Sequence, residues 1–550
     1  MSKYIYLLTI SQCFLIAHGQ YRDIEIDQGT VRGYKHATRD LYAFHGIPYA
    51  TAPTGRDKFK SPLPAPKWEN NTFLAVDDLV LCPQSMSAEF REDCLIVNVF
   101  VPGGDDTDTL KSIVVIVHGG GFLGGYGNQM LPYNIVEKGV VAVTFNYRVG
   151  AHGFLCLNTQ NIPGNAGLKD QIAALEWIKR NINAFGGNPD DVTVYGASAG
   201  AASVELLMLS PTVQDLFHKV ILDSASALST WIVNPKGVEF ARDIAIHNGA
   251  ENVDTLSELE NYYLSLSHAK LAALQATRRP SLTFSPCTED VGISEKWVIN
   301  ELPQNILQSG NYTKLPLLTG YTDAESSVFY GSWDAIMSEM NEKFSSQLPP
   351  NFEHYIAIDK EKATELLQTF YFDEDVIGRD SLRNFSDYLT DSYFAYWIID
   401  SARLHSVNSA RVYLYEFVYV TSAQQEKWSE IGSAHCTQTE LILNEGLLSI
   451  PEVLDENDQL VQQYLVDMWT NFIRFGEPVP SGEDISWKPL QLEKMNYLQI
   501  DLNCKNKTFP LHHRIQFWDE IVKGKGVPDS AYNMHFQYWL LLIIYVLLSK

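Results

Sequence analysis

The chain has 550 residues, 41 basic against 66 acidic side chains, 45% hydrophobic content and 19% charged residues. That is too apolar and too sparsely charged for a disordered chain, which lacks the surface to offset its ordering entropy. A formal charge of −25 argues against nucleic acid as a partner, because polyphosphate affinity needs clustered Lys and Arg.

Residues 1–19 read as a secretory signal peptide. Lys3 precedes an apolar stretch from Tyr4 to Ile16, and small residues follow at Ala17 and Gly19, as a cleavable leader requires. Cys13 would leave with it. The mature chain keeps Cys82, Cys94, Cys156, Cys287, Cys436 and Cys504. In an oxidising compartment the close pair Cys82 and Cys94 is a natural disulfide. The other four leave three pairings open, or stay reduced. Asn-X-Ser/Thr sequons at Asn70, Asn311, Asn384 and Asn506 add an expectation of a glycosylated extracellular surface.

Between residues 20 and 528, short β-branched runs alternate with helical patterns. This is the signature of a mostly parallel α/β sheet covered on both faces. Length alone would suggest three or four domains, but no Pro/Gly/Ser linker divides the series, so one large α/β domain with long insertions is expected. Ile113–Val117 is a continuous apolar run, as in a strand buried on both sides. Val140–Tyr147, Val192–Tyr195, Lys219–Asp223, Pro316–Gly320 and Val412–Phe417 read as further strands. Leu168, Ile172, Leu175, Ile178 and Ile182 recur at three- and four-residue steps, which makes one apolar helix face.

Two glycine-rich turns carry chemistry. Gly196-Ala-Ser198-Ala-Gly200 follows the strand Val192–Tyr195 and opens a helical stretch, Ala199–Leu209. A serine on a strand–turn–helix corner needs glycines on either side, and the helix N-terminus sets positive dipole beside developing negative charge. Ile113–Val117 runs into His118-Gly-Gly-Gly121-Phe122, whose unshielded N–H groups can turn toward one oxygen and form an oxyanion hole. No Walker-type Gly-Lys-Ser/Thr follows that would make this turn a phosphate cradle. The serine needs a base and an orienting acid. Chain order places Glu325 after the strand Pro316–Gly320 and His435 after Val412–Phe417. Asp323 competes with Glu325, and His118, His405 and His512 compete with His435. No zinc-spaced His/Cys cluster is present, and no metal or organic cofactor is expected.

The chain resembles the type-B carboxylesterase and cholinesterase family, of insect carboxylesterase type. The resemblance runs from about Tyr21 to Phe517. It is carried by Phe44–Ala50, Glu92–Asn98, His118–Phe122, Asn146–Gly150, Gly164–Gln171 and Phe185–Pro189, in the family's order. It implies an α/β-hydrolase fold with a large, mostly parallel central sheet flanked by helices. It also implies Ser198 as nucleophile, Glu325 as acid, His435 as base, and the N–H groups of Gly120, Gly121 and Ala199 as oxyanion donors. Cys82 and Cys94 resemble the family's first disulfide, across a short loop, and Arg148 with Asp170 resembles a structural ion pair.

The implied function is an extracellular serine ester hydrolase acting on a small-molecule ester through an acyl-enzyme. Departures from the family pattern bear on which ester. Members often carry Glu before the nucleophile, but here Ala197 stands there, and the loop Pro83–Asp93 contains no Trp. A cationic substrate would therefore lack both a local carboxylate and a stacking ring, which disfavours choline esters. Juvenile hormone esterases typically have Gln at the position of Ala197, so that assignment is not supported either. Cys436 follows the base where Gly is usual. The alternative is an adhesion or ligand-sequestering protein on the same scaffold, although such relatives generally lack a triad residue. At the C-terminus, Asp529-Ser530-Ala531 precedes an apolar run from Trp539 to Leu548. The run is short for a membrane span, and residues 529–550 resemble a glycolipid-anchor signal, which implies membrane attachment through a lipid.

Overall fold

In the computed structural model of the chain, residues 20–524 are described except 86–88, 105–108, 275–283, 295, 374–375, 444–453 and 480–484. The leader and the C-terminal tail expected from the sequence, residues 1–19 and 529–550, lie outside the described residues.

A 13-stranded sheet organises the chain. Its strands are β1 (Tyr21–Ile26), β2 (Gly29–Lys35), β3 (Leu41–Pro48), β4 (Glu69–Leu74), β5 (Ile96–Pro102), β6 (Lys111–Val117), β7 (Val141–Phe145), β8 (Gly187–Ala197), β9 (Lys219–Asp223), β10 (Leu317–Thr322), β11 (Val412–Phe417), β12 (Asn496–Ile500) and β13 (Lys505–Thr508). In space the order is β1-β2-β3-β5-β7-β6-β8-β9-β10-β11-β12-β13, with β4 beside β2. From β7 through β6 and on to β12 every neighbour is parallel. The first strands and the last add antiparallel edges, which the sequence patterns did not reveal.

Side chains alternate across the pleat, and the two faces bury two separate cores. Ile113, Val115 and Val117 pack into one with α1 (Ala166–Asn181) and α2 (Ala199–Leu209). Val114 and Ile116 pack into the other with α3 (Thr437–Leu443) and α4 (Glu456–Phe475). Burial on both sides explains why these strands read as unbroken apolar runs. The expected bounds of Lys219–Asp223, Val412–Phe417 and Ala199–Leu209 agree with the structure. This is an α/β-hydrolase architecture.

The register levels the C-terminal ends of the central strands. Val117 pairs with Gly196, Ala197 and Gly320 each pair with Asp223, and Thr322 pairs with Phe417. In open α/β sheets the crevice outside these ends is where ligands bind. Among the described residues, no helix is long and apolar enough to cross a membrane.

Cys82 bonds to Cys94, as expected, and Cys156 bonds to Cys287, 131 residues away. Cys436 and Cys504 are free. Asn70, Asn311, Asn384 and Asn506 are all exposed. Arg148 and Asp170 form a buried fork, Nη2 to Oδ1 at 2.6 Å and Nε to Oδ2 at 2.7 Å, with the Arg148 N–H donating to Oδ2 at 3.0 Å.

Candidate active site

Ser198 stands between β8 and α2 with φ 55° and ψ −127°. A side chain costs energy in this region, and it persists only where the surroundings enforce it. Close packing does so. A Cβ at Gly196 would lie 2.3 Å from the Gly200 carbonyl oxygen, and one at Gly200 would lie 2.1 Å from that of Val117. The corner is thus pressed against β6, and the Ser198 N–H donates to the Asp223 carbonyl at 2.8 Å.

His435 Nε2 lies 2.9 Å from Ser198 Oγ, and its Nδ1 is hydrogen-bonded to Glu325 Oε2. Glu325 is fully buried, and its other oxygen accepts the Thr322 N–H at 2.8 Å. The acid and base loops are stitched together, since Ala324 N–H donates to the Ser433 carbonyl at 3.1 Å and His435 N–H to Ser327 Oγ at 2.7 Å. Burial works to lower the His435 pKa. The sulfur of Cys436 and the Glu325 carboxylate outweigh it and hold the imidazolium well above the usual value of 6.5. A serine hydroxyl on an imidazole backed by a carboxylate can lose its proton as it attacks an electrophile.

The competing residues are engaged elsewhere. Asp323 accepts the Ser433 N–H at 2.7 Å and stands 3.8 Å from Arg383. His118 stacks on Tyr147 with ring centres 4.2 Å apart, and burial lowers its pKa to about 4. His405 is buried beside Glu205 at 3.1 Å, and His512, at the start of the helix His512–Lys523, packs on Phe509 with ring centres 5.5 Å apart.

The glycine turn after β6 is braced from several sides. Tyr147 Oη donates to the His118 carbonyl at 2.8 Å. Leu123 N–H and Gly124 N–H donate to the Gly120 carbonyl at 3.0 and 3.3 Å. Gly120 and Gly121 have φ of 103° and 62°, a region that favours glycine. Ala199 is the first residue of α2, where an N–H has no partner within the helix. A Cβ at Gly119 would lie 3.0 Å from Ser198 Cβ, so this turn and the serine are immediate neighbours.

A line of aromatic rings extends from the base. Phe394 packs on the His435 ring at 5.0 Å and on Trp231 at 5.8 Å, and Trp231 faces Phe122 at 6.3 Å. Phe394 lies in a short π-helix, Asp391–Ala395, a geometry that gathers at functional sites. Neither this turn nor the Ser327 contact carries a local sequence signal. Among the described residues, no group of three or more His, Cys, Asp or Glu could hold a metal ion.

A model of the carboxylesterase family matches residues 20–518. The chain belongs to the carboxylesterase family. Esterase FE4 of Myzus persicae is 28% identical over 534 residues, covering 90% of this chain and 92% of that one. Juvenile hormone esterase of Heliothis virescens is 29% identical over 490 residues, covering 82% and 85%. Among solved structures, juvenile hormone esterase from Manduca sexta, with OTFP covalently attached, superposes with a TM-score of 0.79. It is 26% identical, and the match covers 91% of this chain and 99% of that one. As a carboxylesterase family member, the protein is a carboxylic ester hydrolase whose substrates are small-molecule esters.

Proposed function

We propose that this carboxylesterase is an extracellular enzyme that cleaves uncharged, fairly apolar esters through an acyl-enzyme on Ser198. One observation carries the reading: Ser198 Oγ, His435 and Glu325 stand in a single hydrogen-bonded line. In this mechanism His435 accepts the Ser198 proton as Oγ attacks the ester carbonyl, and Glu325 stabilises the imidazolium. The N–H groups of Gly120, Gly121 and Ala199 receive the oxyanion, each worth about 2.7–4 kcal/mol to the barrier. His435 then protonates the departing alkoxide, and water repeats the cycle to release the acid. The covalently attached OTFP in the Manduca sexta relative is in keeping with a covalent route.

The ring cluster of Phe122, Trp231 and Phe394 supports apolar substrate groups, and Ala197 supplies no carboxylate for a cation. Two disulfides and four exposed sequons support an oxidising, extracellular setting. A line of acceptor, base and nucleophile this complete weighs against the adhesion reading. The test is turnover of p-nitrophenyl acetate, p-nitrophenyl butyrate and acetylthiocholine by the wild type and Ser198→Ala. The butyrate should be preferred to acetylthiocholine, and the variant should be inert. Equal turnover by both proteins would remove Ser198 from the mechanism. Loss of surface activity on treating cells with a phosphatidylinositol-specific phospholipase tests the lipid anchor, and retention of that activity counts against it.

A further inference from the structure

Asp223 ends β9 on the α3 face of the sheet and is fully buried. Its carboxylate receives three hydroxyls. Tyr195 of β8 donates to Oδ2 at 2.6 Å, Thr439 of α3 donates to Oδ2 at 3.0 Å, and Tyr415 of β11 donates to Oδ1 at 2.7 Å. An ionised carboxylate only accepts and has lone pairs for all three, whereas an amide offers one accepting oxygen.

The donors sit where they matter. Tyr195 lies on β8 three residues before Ser198, and Thr439 is four residues after His435. One acceptor therefore ties the strand that presents the serine to the helix beside the imidazole. The main chain repeats the pattern. The Asp223 carbonyl accepts the Ser198 N–H at 2.8 Å, and the Ser224 N–H donates to the Gly320 carbonyl at 2.9 Å, in the strand that leads to Glu325. Ser224 Oγ and Tyr415 Oη each accept from Gln438 Nε2 at 3.0 Å.

Holding an acid here is costly. Burial raises the Asp223 pKa to about 6, with the Glu325 charge adding to the rise and the Tyr195, Tyr415 and Thr439 hydroxyls opposing it. The groups bonded to it are these hydroxyls, and the Cys436 thiol and the Glu325–His435 pair stand nearby. A buried carboxylate bonded only to hydroxyls, next to reacting groups, is what functional sites retain and structural cores avoid.

We propose that Asp223 is a positioning residue for ester hydrolysis, whose carboxylate sets the spacing of Ser198 and His435 by gripping Tyr195 and Thr439 together. This rests on the reading of Ser198 and His435 as nucleophile and base.

The test compares full-length wild type, Ser198→Ala, Thr439→Val, Thr439→Ser and Asp223→Asn on p-nitrophenyl butyrate. Active sites are titrated with a fluorophosphonate so that kcat is expressed per competent molecule. Thr439→Val keeps shape and loses the hydroxyl. Its kcat per titrated site should fall about fivefold or more, toward the 100-fold that an ångström of misplacement can cost, with KM within twofold. Thr439→Ser, which restores the hydroxyl, should return to within twofold of wild type. Asp223→Asn should lose about 30-fold or more in kcat per titrated site on the same grounds. A merely structural role would lower Tm and the titratable fraction and leave kcat per site unchanged. That result, or Thr439→Val within twofold of wild type, overturns the proposal. If Asp223→Asn does not fold, the Thr439 pair decides. Turnover by Ser198→Ala would instead refute the nucleophile, independently of Asp223.

Discussion

Replacing Gly120 by alanine tests the oxyanion arm of the mechanism apart from the serine, base and acid. An added Cβ at this position, where φ is +103°, would lie 2.1 Å from the carbonyl oxygen of Gly124, against the 3.0 Å below which such contacts essentially never occur. The turn must therefore open by about 0.9 Å, the difference between the two. It opens at the carbonyl of Gly120 that Leu123 and Gly124 hold, within the segment that aims the N–H groups of Gly120 and Gly121. A donor moved that far is close to lost, so kcat should fall about 100- to 1000-fold, the usual effect of deleting one oxyanion donor. KM should change little, because the ground-state carbonyl gains less from these donors than the charged intermediate does. The assay is steady-state hydrolysis of p-nitrophenyl butyrate with Tm measured alongside. Gly186→Ala serves as the strain control, since Gly186 has φ +83° but nothing within 4 Å of an added Cβ. It should lose stability by about 1 kcal/mol and keep its kcat. A Gly120→Ala protein with wild-type Tm and kcat within tenfold of wild type would refute the assignment of this turn.

Three further outcomes are expected. In the proposed mechanism only neutral His435 can take the Ser198 proton, and its imidazolium is held well above 6.5. The acid limb of kcat/KM should therefore have its midpoint above pH 6.5, and Glu325→Gln, which removes one group opposing burial, should move that midpoint down. Arg148→Ala leaves Asp170 buried without its partner and should cost about 3–5 kcal/mol, read as a lower urea midpoint. Replacing Cys156 and Cys287 by Ser frees a loop of 131-residue separation against 12 for Cys82 and Cys94. Chain entropy gives about 5 kcal/mol against about 3 kcal/mol, so the first pair should lower the unfolding midpoint more.

Much of the fold was legible because its signals are local. An unbroken apolar run such as Ile113–Val117 marks a strand buried on both faces wherever it occurs. The glycines of His118–Phe122 and Gly196–Gly200 mark turns that only a residue without a Cβ can make. Local signals also placed Ser198 on a strand–helix corner, as the structure has it. The antiparallel strands β1 and β2 were not read, because their half-exposed faces leave no continuous apolar run, and β5 was missed although buried throughout.

The sequence by itself could not choose Glu325 over Asp323, two residues away on the same loop, nor His435 over three other histidines; family resemblance was needed. Contacts across the assembled sheet set the candidates apart in geometry. Asp323 turns to Ser433 and Arg383 while Glu325 turns inward to His435. The Cys156–Cys287 bond and the grip of Asp223 on Tyr195, Tyr415 and Thr439 were equally invisible. The reason is range. Ser198 and His435 lie 237 residues apart in the chain, and no periodicity or turn chemistry acts over that distance. Their meeting is decided by strand order and register, which follow from how the whole sheet buries its two faces.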